Sequence, residues 1–211
     1  MYARVRHSLN SLSFWKKFVQ LNLGLTGLGL GIALMLAADI GVGPWTVFHE
    51  GVSLRSGLSF GRVIQLTGLL VIALGYVLTR IKPGFGTLLN MVLVGVWVDL
   101  FAAWLPDASG LFVGTLLFLL GVSCVGLASG LYISAELGAG PRDGLVLGLS
   151  RSLNLSVRKV RFGLELLVLI SGFLLGGSVG LGTVLFALLI GPLMQFALRL
   201  FGSKKVKGHK V

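Results

Sequence analysis

Ala38-Asp39-Ile40-Gly41-Val42-Gly43-Pro44 and, at an offset of 97 residues, Ala135-Glu136-Leu137-Gly138-Ala139-Gly140-Pro141 share the pattern A-[DE]-x-G-x-G-P. The same offset pairs Gly51 with Gly148, Ser53 with Ser150, and Leu58-Ser59 with Leu155-Ser156. After a single-residue gap, Gly84-Phe85-Gly86-Thr87 matches Gly180-Leu181-Gly182-Thr183, and Gly95 matches Gly191. Apolar segments resemble one another by chance, but chance does not return G-x-G-P and then G-x-G-T in the same order. The pattern reads as an internal duplication.

Around these motifs the sequence is a series of long apolar runs. Of its 211 residues, 55% are hydrophobic and only 12% are charged, against roughly 25% charged in a soluble domain. Mean hydropathy is +0.95. Six runs are long enough to approach the span of a bilayer: Phe18–Ala38, Val63–Thr79, Phe85–Leu105, Leu111–Ala135, Phe162–Gly176 and Leu181–Leu200. The fifth is the shortest and contains Glu165. Helix is the expected conformation for all six, because lipid offers no partner to an unpaired N–H or C=O.

With the N-terminus placed in the cytoplasm, 16 of the 18 Lys and Arg residues fall on the inside and only Arg55 and Arg62 outside. The positive-inside rule then gives six spans with both termini cytoplasmic. Three spans per repeat is an odd number, so the second repeat enters from the side opposite to the first. The expected architecture is an all-α, polytopic bundle of two inverted three-span repeats. It divides into a basic segment (1–17), a first repeat (18–105), a second repeat (106–201) and a basic tail (202–211). Trp15, Trp45 and Trp104 stand near proposed span ends, as interfacial aromatics do. Met1 to Lys17 is long and basic, and the run after it has no clear cleavage pattern, so an uncleaved first span is expected.

The net charge of +11 raises nucleic-acid binding as an alternative. The basic residues lie in the gaps between apolar runs, however, where they orient a membrane protein, and nucleic acid is not an expected partner. The single Cys124 reads as a packing residue, and His7, His49 and His209 are too scattered for a metal site. No metal or other cofactor is expected. No nucleophile–base pair or metal cluster marks an enzyme.

Each G-x-G-P turn opens a segment of roughly a dozen residues, Pro44–Ser56 and Pro141–Ser152. Proline suits the first helical turn, and glycine lets the chain turn sharply. Two readings stand for these segments. Each is either a broken, re-entrant helix whose N-terminal amides face the bilayer interior, or an amphipathic surface helix with a glycine hinge. The backbone positions that shape the turns and helix starts are Gly41, Gly43, Pro44, Gly86, Thr87, Gly138, Gly140, Pro141, Gly182 and Thr183. Thr87 and Thr183 suit an N-cap.

Charges within or at the edges of spans are costly to bury and so mark candidate function. Asp39 and Glu136 are matched acids before the two turns, with capping and functional roles both open. The candidate solute-binding set is Asp39, Trp45, Thr46, His49, Asn90, Glu136, Arg142 and Asp143. Glu165 pairs with Arg161 at i−4 in a structural reading. The two repeats differ where one has Trp45-Thr46 and the other Arg142-Asp143.

The A-D-I-G-V-G-P-W, G-F-G-T, A-E-L-G-A-G-P-R-D and G-L-G-T segments resemble the YczE/YitT family of bacterial integral membrane proteins, over roughly Phe18 to Phe201. The P-R-D after the second turn places the likeness nearer the YczE branch. The resemblance implies a multi-pass protein of the bacterial cytoplasmic membrane, sometimes encoded beside pyridoxal-phosphate-binding regulators of the MocR type. That association points to a vitamin B6 compound or an amino-acid-like solute. Members are often described with five spans, which the six-span reading exceeds. The resulting expectation is a secondary transporter working by alternating access, with Asp39 or Glu136 as a candidate proton carrier. A homodimer is compatible with so small a transporter. The competing reading is a non-transporting scaffold or regulatory partner that binds other membrane helices through its glycine-rich faces.

Overall fold

A computed structural model describes residues 12–80, 82–138 and 140–202. Among them every regular element is a helix: α1 (Leu12–Ala37), α2 (Pro44–Ser56), α3 (Phe60–Thr79), α4 (Phe85–Ala102), α5 (Leu111–Ser134), α6 (Pro141–Leu153), α7 (Val157–Leu174) and α8 (Leu181–Phe201). Five of them, α1, α3, α4, α5 and α8, are long and apolar enough to cross a membrane. The run expected at Phe162–Gly176 is the helix α7, which starts earlier. Its first turns carry Arg158, Lys159 and Arg161 as well as Glu165, and this charge sets it apart from the other five.

The core is the crossing of α1 and α5. Leu21, Leu25, Met35, Phe118 and Val122 are essentially fully buried there. Glycine makes this crossing possible. A Cβ at Gly31 would sit 2.7 Å from the Gly121 carbonyl oxygen, and one at Gly121 would sit 2.8 Å from that of Gly31. Such small-residue contacts are how helices close on one another where lipid removes the hydrophobic drive. The outer helices turn apolar side chains outward: Leu66, Leu70, Val77, Leu167, Phe173 and Leu188 are all more than half exposed. An exposed apolar surface of this extent belongs against lipid rather than water.

Local geometry recurs at positions 97 apart. α2 and α6 both have 13 residues, follow a glycine, begin with proline and end on a left-handed residue, Gly57 (φ 69°) or Asn154 (φ 54°). The hydroxyls of Ser53 and Ser150 donate to the carbonyls of Leu58 and Leu155, each at 2.7 Å. Ser59 and Ser156 then cap α3 and α7. The short helices pack crosswise, α2 mainly on α7 and α6 mainly on α3.

Two backbone hydrogen bonds join the starts of α4 and α8 to the glycine turns. The Gly86 N–H donates to the Leu137 carbonyl at 2.8 Å, and the Gly182 N–H to that of Ile40 at 2.7 Å. The threonines beside these bonds are not N-caps as expected. Gly84 and Gly180 hold the N-cap positions, and Thr87 and Thr183, at the third helical position, reach back so that Oγ1 accepts from the glycine N–H at 3.2 Å. This is the return half of a capping box.

Candidate functional site

A cavity of about 320 Å³ opens where the N-termini of α2 and α6 meet inside the bundle. Gly43-Pro44 and Gly140-Pro141 line it, so the first turns of both short helices face inward. Those turns leave amides without intrahelical partners and carry the positive end of the helix dipole. The remaining wall comes from α1, α3, α4, α5, α7 and α8, mostly as aliphatic side chains such as Leu28, Ile64, Val94 and Ile190.

Trp45 and Arg142, which stand 97 apart in sequence, meet in this cavity. The Arg142 guanidinium carbon lies 4.8 Å from the centroid of the Trp45 ring, in cation–π range. Thr46 and Asp143, the next matched positions, also line the space. The short helices bring these pairs together because both present their first turn to the same point. Trp45, expected among interfacial aromatics, is therefore turned inward, while Trp15 and Trp104 lie 62% and 82% exposed.

His49, one turn into α2, is only 2% exposed and lines the same cavity. Aromatic rings surround it: Trp45 at 6.3 Å, Phe48 at 6.0 Å and Phe60 edge-on at 5.9 Å. No hydrogen-bond partner for its ring nitrogens is found among the described residues. Burial holds its pKa well below the usual 6.5, and the nearby Arg142 charge lowers it further, so the ring is neutral at pH 7. Asn90 reaches the cavity from α4, also without a side-chain hydrogen bond among the described residues.

A charged network also lines the cavity. Arg161 Nη2 lies 3.2 Å from Asp143 Oδ1, and Arg161 Nε lies 3.3 Å from Glu165 Oε1. The second contact is the i−4 pair expected from sequence. The Tyr132 hydroxyl donates to Asp143 Oδ2 at 3.0 Å. Arg142 takes part in no ion pair or hydrogen bond among the described residues. Burial lowers its pKa to about 10, partly opposed by Asp143, and it remains a cation at neutral pH.

Of the residues singled out in the sequence, the cavity gathers Gly43, Pro44, Trp45, Thr46, His49, Asn90, Gly140, Pro141, Arg142 and Asp143. Asp39 and Glu136 lie elsewhere. Both adopt left-handed backbone (φ 49° and 56°) at the turns and are exposed, and Glu136 meets Lys17 at 3.1 Å. Gly86, Thr87, Gly182 and Thr183 hold the helix starts, and Gly41 and Gly138 (φ 94° and 138°) shape the turns. Polar lining residues that the sequence reading did not name as site candidates include Thr67, Ser129, Tyr132 and Arg161. The signal for Tyr132 was a phenol within an apolar run six residues before the second G-x-G-P. Arg161 had counted only toward orientation and as a partner for Glu165. Among the described residues, no group of three His, Cys, Asp or Glu side chains could hold a metal ion.

Among the described residues, eight packed helices, five of them of membrane-crossing length and hydropathy, define a multi-pass helical membrane protein. The chain belongs to the family of unknown function DUF6198, which matches residues 15–199, and is a YczE-like member of it. It is 38% identical over 176 residues to the uncharacterized membrane protein YczE of Bacillus subtilis, covering 83% of this chain and 82% of that one. It is 36% identical over 199 residues to an uncharacterized protein of Haemophilus influenzae, covering 92% and 91%. The uncharacterized protein YyaS of Bacillus subtilis is 27% identical over 203 residues, covering 92% of this chain and all of that one. No solved structure matches the chain significantly.

Proposed function

We propose that this protein is a secondary transporter of a small organic solute in the bacterial cytoplasmic membrane, built from two inverted three-span repeats with both termini cytoplasmic. The observation that carries this reading is the cavity itself. It lies where the two short helices meet, and a few polar groups converge on a mostly apolar wall, the usual character of a small-molecule site. In transporters with inverted repeats, sites lie at the repeat interface beside interrupted helices, and rocking of one repeat against the other exposes the site to each side in turn.

α7 serves as the sixth span. Eighteen residues make about 27 Å of helix, close to the thickness of the hydrocarbon. Its Glu165 is paired with Arg161, and Arg158 and Lys159 can reach the cytoplasmic headgroups from its first turn. The crosswise packing of α2 on α7 and α6 on α3, and the matched bonds from Gly86 and Gly182, support the two-fold plan.

Reconstitution into liposomes tests the transport reading. Labelled amino-acid-like solutes and vitamin B6 compounds, the classes the family resemblance implies, are offered on one side and followed across. Saturable movement supports a permease. A sealed preparation that moves none of them and binds none of them sinks it in favour of a scaffold. Thiol labelling of single cysteines at Arg55 and Arg151, in a Cys124→Ser background, checks the topology. Arg55 should label from outside only and Arg151 from inside only.

A further inference from the structure

The geometry points to a ligand with an acidic head, a carboxylate or a phosphate, held by the Arg142 guanidinium where it lies over Trp45. If the permease reading holds, this ligand is the cargo, so the inference rests on that reading for the ligand's role but not for its binding.

Four charged side chains line the cavity, Arg142, Arg161, Asp143 and Glu165, and their formal sum is zero. Their pairing is uneven. Both carboxylates go to Arg161, at 3.2 and 3.3 Å, and Asp143 also accepts from Tyr132. Arg142 has the Trp45 face and no ion pair of its own among the described residues, with Asp143 and Glu165 acting on it only through space. A guanidinium held over an indole face, with no ion pair or hydrogen bond of its own among the described residues, still has N–H groups to offer, and these recognise carboxylate or phosphate with two parallel bonds. A cation held inside a low-dielectric bundle is stabilised when an anion joins it. A cationic ligand finds no such opening, since Asp143 and Glu165 are already neutralised.

Independent features agree. The N-termini of α2 and α6 both line the cavity and favour negative charge there. His49 is 2% exposed, lines the cavity and has no described hydrogen-bond partner, so a buried imidazole stands ready for the ligand. A neutral imidazole offers one donor and one acceptor, and the Asn90 amide offers both types of group as well. These suit a hydroxyl or ring nitrogen on the ligand body. At about 30 Å³ per water-sized unit the space holds on the order of ten non-hydrogen atoms. Trp45 and Phe186 supply flat walls for a planar body.

The test uses the full chain in phosphatidylcholine nanodiscs, with four probes of similar shape: phenyl phosphate, benzoate, benzylammonium and benzyl alcohol. Binding is read by titration calorimetry and by tryptophan quenching. The two anions are expected to bind, R142Q to weaken them at least tenfold, and R142K to lose severalfold because it keeps charge without the planar fork. The assignment is overturned if benzylammonium or benzyl alcohol binds as well as the anions. It is also overturned if no probe binds, or if R142Q or R142K binds the anions like the parent. R142K decides the matter should R142Q fail to fold. Discs containing phosphatidylglycerol separate two sources of the acidic head. Competition that weakens in R142K along with probe binding assigns the site to a lipid headgroup, and unchanged affinity assigns it to a free solute. Either result keeps the anion site. Arg142-dependent anion binding without flux would remove the permease reading alone. Flux of a neutral or cationic solute unaffected by R142Q would remove the anion site alone.

Discussion

A graded Gly→Ala series tests whether the glycine turns close as described. At Gly182 an added Cβ would collide with the Gly41 carbonyl oxygen and lie 2.8 Å from Phe118 Cε2. Neither neighbour can yield easily: one is backbone in a turn with φ 94° at Gly41, and the other is a fully buried ring. Relief requires α8 to move away, which stretches the 2.7 Å bond from the Gly182 N–H to Ile40. Overpacking costs about 1–3 kcal/mol and a lost hydrogen bond about 1 kcal/mol, so G182A should lose about 2–4 kcal/mol. For a chain of this length that lowers the unfolding midpoint by about 5–15 °C. At Gly86 the added Cβ would sit 3.1 Å from the Leu137 carbonyl, a contact a small shift relieves, and about 1 kcal/mol is expected. Gly163 has nothing within 4 Å of an added Cβ, and there alanine should be neutral or stabilising by up to about 1 kcal/mol through helix propensity. Thermal unfolding of the three purified variants in one detergent should rank them G163A, G86A, G182A from most to least stable. A G182A midpoint equal to that of the parent, or a G163A loss as large as that of G182A, would refute the reasoning.

Other expectations concern the site and its supports. D99A should destabilise by about 1–2 kcal/mol, since its carboxylate accepts from the Ser59 hydroxyl and the Gly61 N–H, both at 2.6 Å, at the start of α3; chemical denaturation reads this directly. K17M, which breaks an exposed pair with Glu136, should change stability by less than about 1 kcal/mol in the same assay. His49 gives a pH signature. Its folded pKa is depressed, so below about pH 6.5 the unfolded chain binds a proton that the folded chain refuses, and stability falls as pH falls. Midpoints of parent and H49Q measured from pH 7.5 to 5 should therefore converge as the pH drops; parallel curves would contradict a buried neutral ring.

The long helices were readable because lipid leaves apolar runs one conformation, and the ends of α3, α5 and α8 fall within a few residues of the expected spans. Pro44 and Pro141 announced the short helices equally well, since a proline after a glycine can start a helix but not continue one. Whether those helices faced inward was not readable. Pro44–Ser56 has little amphipathic pattern, and its direction follows from where α7 packs against it, a long-range contact with no local trace. The same limit explains Asp39 and Glu136. Their matched positions and charge left a functional role and a capping role both open, and the structure places each acid exposed at a left-handed turn. Arg161 was legible in part. Its i,i+4 pairing with Glu165 could be read from spacing, whereas Asp143 reaches it from α6 through a long-range contact.

The meeting of Trp45 with Arg142 bears on why matched positions should differ. Residues that face each other across an approximate two-fold axis are forced into self-pairing if the two copies are identical. Two arginines with their charges about 5 Å apart would repel by about 3 kcal/mol at an effective dielectric of 20, before any cost of burial. Two tryptophans would fill the space and leave Arg161, already paired with Asp143 and Glu165, as the only cation among the described lining residues. One of each satisfies both demands, because the indole face attracts the guanidinium, which still has N–H groups to offer. A chain that carries both copies can hold this difference in every molecule, whereas a dimer of identical subunits cannot. On the proposed repeat, the mismatch of Trp45 against Arg142 is thus the one that sets a cation without an ion pair among the described residues against an indole in the cavity.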